Sequence, residues 1–435
     1  MLPFQAGLIA SSAGIVSVPR WSPLDLFPGV TNGGYYRADL GSNSVSQWSD
    51  VSGLDNHLTQ GTGANQFILT TGVDGLACYR NETYDSDCYF NLPSISIDRR
   101  AHSWWCVARI RSCGLSNART YTSFGPGLTD CMVCVFDASA NLPPVIQTFG
   151  TGQQLSDHVS LESVALIIVN ADSGALTFRH MGTDDSLTAY ASGSVTGGRL
   201  FRRTDNYTIN GEVYEFGLLD RILTSQEITD LEAYVQSRYG AWPDYGNLHV
   251  IGDSLTEGQG AVSFMNWPQI IDDNLRGDGW QVINEGAAAK TLAQYAAAAA
   301  KSAGGFRSGF TKNVAVCFAG TNDLGGGSNA TTVLGSLNTW ATAMQAAGYY
   351  TIACTIVARD DAAWSGAKET ERDSYNSTLL GAPGTYHCDA AVDVAGIAEL
   401  ADPTDTTYFQ ADKIHLKDAS YALIAALVQT AVLAA

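Results

Sequence analysis

The apolar pattern of this 435-residue chain changes character part-way along, and that change limits the fold more than any single motif does. Before Thr224 there is little helical periodicity. Short β-prone runs such as Ser103 to Ile110, Ser163 to Asn170 and Glu212 to Leu219 are separated by clusters of Gly, Asn, Asp and Ser. That pattern predicts an all-β antiparallel sandwich. From Asn247 onward, apolar strands alternate with helix-prone stretches, which predicts an α/β unit with a parallel sheet covered on both faces.

Within the α/β half, strands are expected at Leu248 to Ile251, Val282 to Gly286, Asn313 to Ala319 and Tyr349 to Val357. Helices are expected at Trp267 to Arg276, along the alanine-rich Thr291 to Ala303, at Asn329 to Ala347, and from Asp418 to about Ala434. Thr224-Ser225-Gln226-Glu227 reads as a capping box that opens a helix ending near Tyr239-Gly240.

Reactive residues gather at the predicted strand ends, where open α/β sheets place their sites. Gly252-Asp253-Ser254-Leu255 follows the first strand, and Gly252 lets the chain turn sharply so that Ser254 stands at its C-terminal end. A serine hydroxyl needs an imidazole within hydrogen-bond reach and a third group to orient that imidazole. Asp412-Lys413-Ile414-His415 supplies both, because a separation of three on a helical turn or tight loop puts the two side chains on one side. The second strand ends in Gly286, where a backbone N–H is unobstructed, and the third leads into Gly320-Thr321-Asn322-Asp323, where Asn322 offers a side-chain amide.

These blocks, in this order, resemble the SGNH, or GDSL-type, esterase and lipase family over Asn247 to Ala435. The resemblance implies that Ser254 is the nucleophile, His415 the base, Asp412 its orienting carboxylate and Asn322 an oxyanion donor beside the Ser254 N–H. It implies no metal and no organic cofactor. Block two departs from the family pattern. Counting from the strand end puts the family's glycine at Gly286, whereas counting back from Thr291 puts Ala289 there.

Tyr36 to Gly41, Val45 to Asp50 and Ser52-Gly53, with Gly211 to Phe216 and Asp220 to Leu223 as a closing counterpart, resemble concanavalin A-like, laminin G-like jelly-roll domains. The expected organisation is an N-terminal arm (1–30), a jelly roll (31–243) and an SGNH hydrolase domain (244–435). Such jelly rolls often bind glycans. Trp48, Trp104 and Trp105 read as sandwich core rather than sugar platforms, and no calcium-ligand cluster stands out.

Composition bounds the partners. A net charge of -19 argues against nucleic acid and anionic membrane surfaces, and no apolar run is long and uninterrupted enough to span a membrane. Nine cysteines cannot all pair within one chain. Cys317 and Cys354 are expected to be buried thiols, while Cys78 with Cys88, or Cys131 with Cys134, are candidate bridges, and the chain reads as made in a reducing compartment. Met1 to Val30 lacks the basic start of a secretion signal and reads as an arm for contacts with the body, a virion or other copies of the chain, with a cleaved signal as the other reading. An arm, jelly roll and SGNH esterase in this order look like bacteriophage appendages that process surface glycans, which places the protein on a virion or outside the cell. The expected activity is serine esterase action on an acylated glycan, an acetyl ester by preference. Lipase or thioesterase action, or a non-catalytic receptor-binding role, are the alternatives. Arg359, Trp364 and Tyr375 are candidate pocket residues, with solvated loop as the other reading; His249 and His387 are not expected to compete with His415 as base.

Overall fold

The computed structural model describes residues 21–435 apart from 73–74, 82–87, 111–117, 125–131, 137–144, 150–163, 174, 181–182, 189–191, 203–210, 240–244 and 262–264. The N-terminal half forms two antiparallel sheets. In the larger, Ala101–Ile110 pairs with Val164–Asp172 on one side and Gly211–Leu219 on the other. Gly211–Leu219 also pairs with Gly33–Arg37. The second sheet runs Val145–Phe149, Met132–Phe136, Ala118–Phe124, Ser194–Leu200, Phe90–Asp98, Leu58–Thr59, Gln47–Trp48.

Alternation along Ala101–Ile110 explains how the layers assemble. Successive side chains of a strand point to opposite faces. Trp104, Cys106, Ala108 and Ile110 enter a cluster shared with Trp48, Phe90, Leu92 and Leu200 of the other sheet. The neighbouring Trp105 and Val107 face the opposite way and pack with Leu26, Phe27 and the helix Ser225–Tyr239 through Leu231 and Val235. All three tryptophans are buried. The helix opens with the expected capping box: Glu227 accepts the Thr224 N–H at 2.8 Å, and Thr224 Oγ1 accepts the Glu227 N–H at 3.3 Å. Residues 1–20 of the expected arm lie outside the described residues, while Leu26, Phe27 and Val30 pack on the sheet's outer face.

The C-terminal half is built on five parallel strands in the order Trp280–Asn284, Gly246–Gly252, Lys312–Phe318, Tyr350–Cys354, Ala390–Val392. Leu248, Val250, Val314 and Val316 face the helices Trp267–Leu275 and Asp418–Ala434. Ile251, Ala315 and Cys317 face Leu292–Ala297, Ala330–Ala347 and Gly366–Gly381. The alanine-rich stretch forms two short helices, Leu292–Ala297 and Ala299–Ala303, instead of one, because Ala298 leaves helical geometry at ψ 6. The fourth strand stops at Cys354, earlier than expected.

A buried ion cluster joins the two halves. Arg109 Nη2 lies 3.1 Å from Asp272 Oδ2 and 2.8 Å from Asp273 Oδ1, both on the helix Trp267–Leu275, and Arg276 contacts the same two carboxylates. Asn266 caps that helix by accepting the Gln269 N–H at 2.9 Å, and its Nδ2 donates to the Glu257 carbonyl at 3.0 Å.

Cys78, Cys88, Cys106, Cys317, Cys354 and Cys388 are free, buried thiols. The Cys78–Cys88 bridge therefore does not form. Cys131 lies outside the described residues, and with it the other candidate bridge. Among the described residues no helix is long and apolar enough to cross a membrane, and no group of three or more His, Cys, Asp or Glu is arranged to hold a metal.

Candidate active site

The strand Gly246–Gly252 turns directly into a one-turn helix, Ser254–Glu257. A Cβ on Gly252 would sit 2.0 Å from Thr256 Oγ1 and 2.4 Å from the Phe318 carbonyl oxygen, so only glycine fits this turn. Asp253 caps the helix by accepting the Leu255 N–H at 3.0 Å. Burial pushes the Asp253 carboxyl up to about 7, and nearby Asp323 adds to the rise. Ser254 is thus the first helical residue. Its N–H has no partner within the helix, as helix geometry requires.

His415 reaches Ser254 from the loop before the last helix. Its Nε2 is 3.0 Å from Ser254 Oγ and its Nδ1 is 2.5 Å from Asp412 Oδ2. The spacing works through a tight loop and not a helix: Asp412 Oδ1 accepts the N–H groups of Ile414 and His415, each at 3.0 Å, and Lys413, which follows Asp412, adopts φ 61. Burial acts to raise the Asp412 carboxyl, but the hydrogen bonds from His415 and Ile414 outweigh it and hold the group below the usual aspartate range. Gln410 donates its N–H to the His415 carbonyl at 2.7 Å and its Nε2 to Gly260 at 2.9 Å, which anchors the loop beside the serine helix.

Geometry distinguishes the two block-two alternatives. The Gly286 N–H is taken by Asn284 Oδ1 at 2.8 Å, and a Cβ at Gly286 would lie 2.6 Å from the Glu257 nitrogen. Gly286 therefore permits close packing against the serine helix, with its N–H directed to Asn284. Ala289 lies in the turn closed by the Lys290 N–H on the Ala287 carbonyl and adopts φ 59, where glycine is favoured. Asn322 Nδ2 donates to the next carbonyl, Lys290 O, at 2.9 Å, and among the described residues its other amide hydrogen is uncommitted. The Ala287 N–H donates to Gly252 O at 3.0 Å. The Ala289 turn is thereby tied both to the serine strand and to Asn322.

Two supports were not anticipated from the sequence. Tyr295 Oη lies 2.6 Å from Gly252 O and 2.5 Å from Glu285 O, pinning adjacent strand ends together. Asp323 accepts the N–H groups of Leu292 and Ala293 at 2.7 and 3.2 Å, fixing the third strand's loop to the start of the helix Leu292–Ala297, which follows the second strand. A carboxylate beside a tyrosine-bearing helical stretch gives no local pattern from which either contact could be read.

Tyr375 is fully buried in the core beneath the helices, neither pocket wall nor solvated loop. His249 is buried with its Nε2 3.0 Å from Glu285 Oε1, and His387 is exposed on a separate turn. Neither contacts Ser254.

Residues 250–423 match the GDSL-like Lipase/Acylhydrolase family. The C-terminal half carries a GDSL-like lipase/acylhydrolase domain. No curated protein matches the chain. Solved structures similar to it include a lipolytic G-D-S-L family member from Veillonella parvula DSM 2008, 19% identical over 42% of this chain and 97% of that one, with a TM-score of 0.37. A carbohydrate esterase family 3 protein from Talaromyces cellulolyticus is 15% identical over 43% of this chain and 96% of its own, with a TM-score of 0.35. An acetyl-xylooligosaccharide esterase variant from Geobacillus Stearmophilus is 14% identical over 44% and 96%, with a TM-score of 0.36. The family match begins inside the strand before Ser254 and ends beyond His415, so every block of the GDSL-like domain falls within it.

Proposed function

We propose that this chain is a serine esterase that removes O-acetyl groups from a polysaccharide. The observation that carries the esterase reading is the unbroken line from Asp412 through His415 to Ser254, at 2.5 and 3.0 Å. As Ser254 Oγ attacks the ester carbonyl, His415 Nε2 takes its proton, and Asp412 holds the ring orientation and stabilises the imidazolium. The N–H groups of Ser254 and Ala289 and the spare hydrogen of Asn322 Nδ2 receive the oxyanion. Collapse expels the alcohol, protonated by His415, and leaves an acyl-serine. Water, activated by the same imidazole, then releases the acid and restores Ser254.

The N-terminal sheets, read as a concanavalin A-like jelly roll over 31–243, serve as the glycan-binding or structural module. The resemblance of the whole arrangement to bacteriophage appendages supports a place on a virion or outside the cell. The test compares acetate release from acetylated polysaccharides with hydrolysis of long-chain 4-nitrophenyl esters. Preference for long chains would make the enzyme a lipase or thioesterase; no hydrolysis of any short ester would overturn the esterase reading itself.

A further inference from the structure

The loop after the fourth parallel strand, residues 359–364, is tied to both sides of the site. Arg359 Nη1 lies 3.4 Å from Thr321 Oγ1 and 3.5 Å from Thr321 O, next to Asn322. On the other side, the Asp360 N–H donates to the carbonyl of Lys413, the residue after Asp412, at 3.3 Å, and Lys413 Nζ lies 2.6 Å from Asp360 Oδ2. The loop therefore borders the cleft between the oxyanion donors and the base.

Arg359 is held rigidly there. Its Nε donates to Asp361 Oδ1 at 2.6 Å, and its guanidinium lies 4.9 Å over the Trp364 ring. The side chain is only 11% exposed. Nε, Nη1 and one face of the group are thus committed, whereas Nη2 donates to no described residue. Asp361 uses one oxygen for Arg359 and the other for the Ala363 N–H at 3.1 Å, which leaves acceptor capacity on each.

We infer that Arg359 and Asp361 form a subsite for adjacent hydroxyl groups of a neutral sugar, beside the scissile ester. Each sugar hydroxyl is both donor and acceptor, and the Nη2 hydrogens next to the Asp361 lone pairs offer the matching pair. The charge balance favours a neutral ligand. Asp361 already compensates Arg359, so a ligand carboxylate would bring an uncompensated negative charge into a chain of net charge -19. Trp364 adds an apolar wall next to the pair.

This inference rests on the esterase reading above, and the experiment separates the two. For the unmutated protein and for Arg359→Gln, Arg359→Lys and Asp361→Asn, kcat/KM is measured on a mono-acetylated neutral methyl glycoside and on 4-nitrophenyl acetate. Loss of a hydrogen bond from a charged donor corresponds to about a 10- to 100-fold fall in the glycoside-to-phenyl ratio for Arg359→Gln. Asp361→Asn lowers the ratio too, and Arg359→Lys, which keeps the charge without the planar fork, does not restore it. Equal losses on both esters would reduce Arg359 to a structural prop, and full rescue by lysine would mean charge attraction; either overturns the subsite. An unmutated protein inactive on 4-nitrophenyl acetate would instead overturn the esterase reading.

Discussion

Nδ1 of His415 lies 2.5 Å from Oδ2 of Asp412, while the other oxygen of the same carboxylate is bonded to the N–H groups of Ile414 and His415. One side chain thus fixes both the loop conformation and the ring tautomer. Asp412→Asn keeps an oxygen for the backbone bonds but presents no second anionic acceptor. We expect kcat on 4-nitrophenyl acetate to fall by about 10³- to 10⁴-fold with thermal stability nearly unchanged. A loss under tenfold would remove Asp412 from the catalytic line.

In the proposed mechanism Asn322 is an oxyanion donor, and in acyl-transfer sites the loss of one such donor, here by Asn322→Ala, costs about 10²- to 10³-fold in kcat. KM is expected to move much less, because the donor acts on charge that develops only in the transition state. Steady-state kinetics on a short ester checks the split. A change confined to KM would assign Asn322 to ground-state binding.

Gly286 and Ala289 respond oppositely to a single methyl group. Gly286→Ala drives a Cβ to 2.6 Å from the Glu257 nitrogen and is destabilising. Ala289→Gly relieves the left-handed backbone at φ 59, which costs a residue with a Cβ about 1 to 2 kcal/mol, and after glycine's entropic cost of about 0.5 to 1 kcal/mol it is expected to raise stability by up to about 1 kcal/mol. Denaturant midpoints of the two variants test this; a stable Gly286→Ala would mean that the serine helix tolerates displacement.

Asp253 predicts a pH dependence of stability. Its folded-state pKa is raised to about 7, so from the ordinary aspartate range up to about 7 the folded protein holds a proton that the unfolded chain has released. The contribution of this group is full at low pH, falls as the pH rises through about 7, and is constant above it. Asp253→Asn keeps the cap to Leu255 and removes the titration. Its melting temperature relative to the unmutated protein should therefore be higher at pH 8 than at pH 5; a pH-independent difference would contradict the assignment.

Arg109→Ala takes one cation from the fully buried Asp272, which Arg276 also contacts. Breaking a buried pair from one side costs about 3 to 5 kcal/mol. The double variant Arg109→Leu with Asp272→Leu should recover much of that loss. Equilibrium unfolding of the single and double variants measures it, and a single-variant loss below about 1 kcal/mol would mean that the cluster is well hydrated.

Short-range features were the legible ones. Ser254, Asn322 and Asp412 with His415 each sit in a local motif at or near a strand end, and the structure brings Ser254, Asp412 and His415 into hydrogen-bonding line. The Gly286 N–H meets the Asn284 side chain, a contact that no spacing encodes. The helix Gly366–Gly381 offers only Tyr375, Asn376 and Leu379 to the interior, so its apolar stripe is too thin to show as a period. Ala390–Val392 is three residues long, below the length at which alternation has meaning. Arg109 ends an apolar run from Trp104 to Ala108, and its partner lies 163 residues away. Only the assembled fold shows why a charge is tolerated there.

The closure of the His415 loop has a bearing on how such a domain changes over time. Phe409 bridges to Leu416, and the Gln410 N–H meets the His415 carbonyl, so the base and its carboxylate are held within one short self-closed segment. Insertions or deletions between the fifth strand and Phe409 need not alter the relation of Asp412 to His415; they need only deliver the segment to the same place beside Gly260. The reactive pair is closed within one short segment, so its internal geometry does not depend on the length of the stretch leading to it.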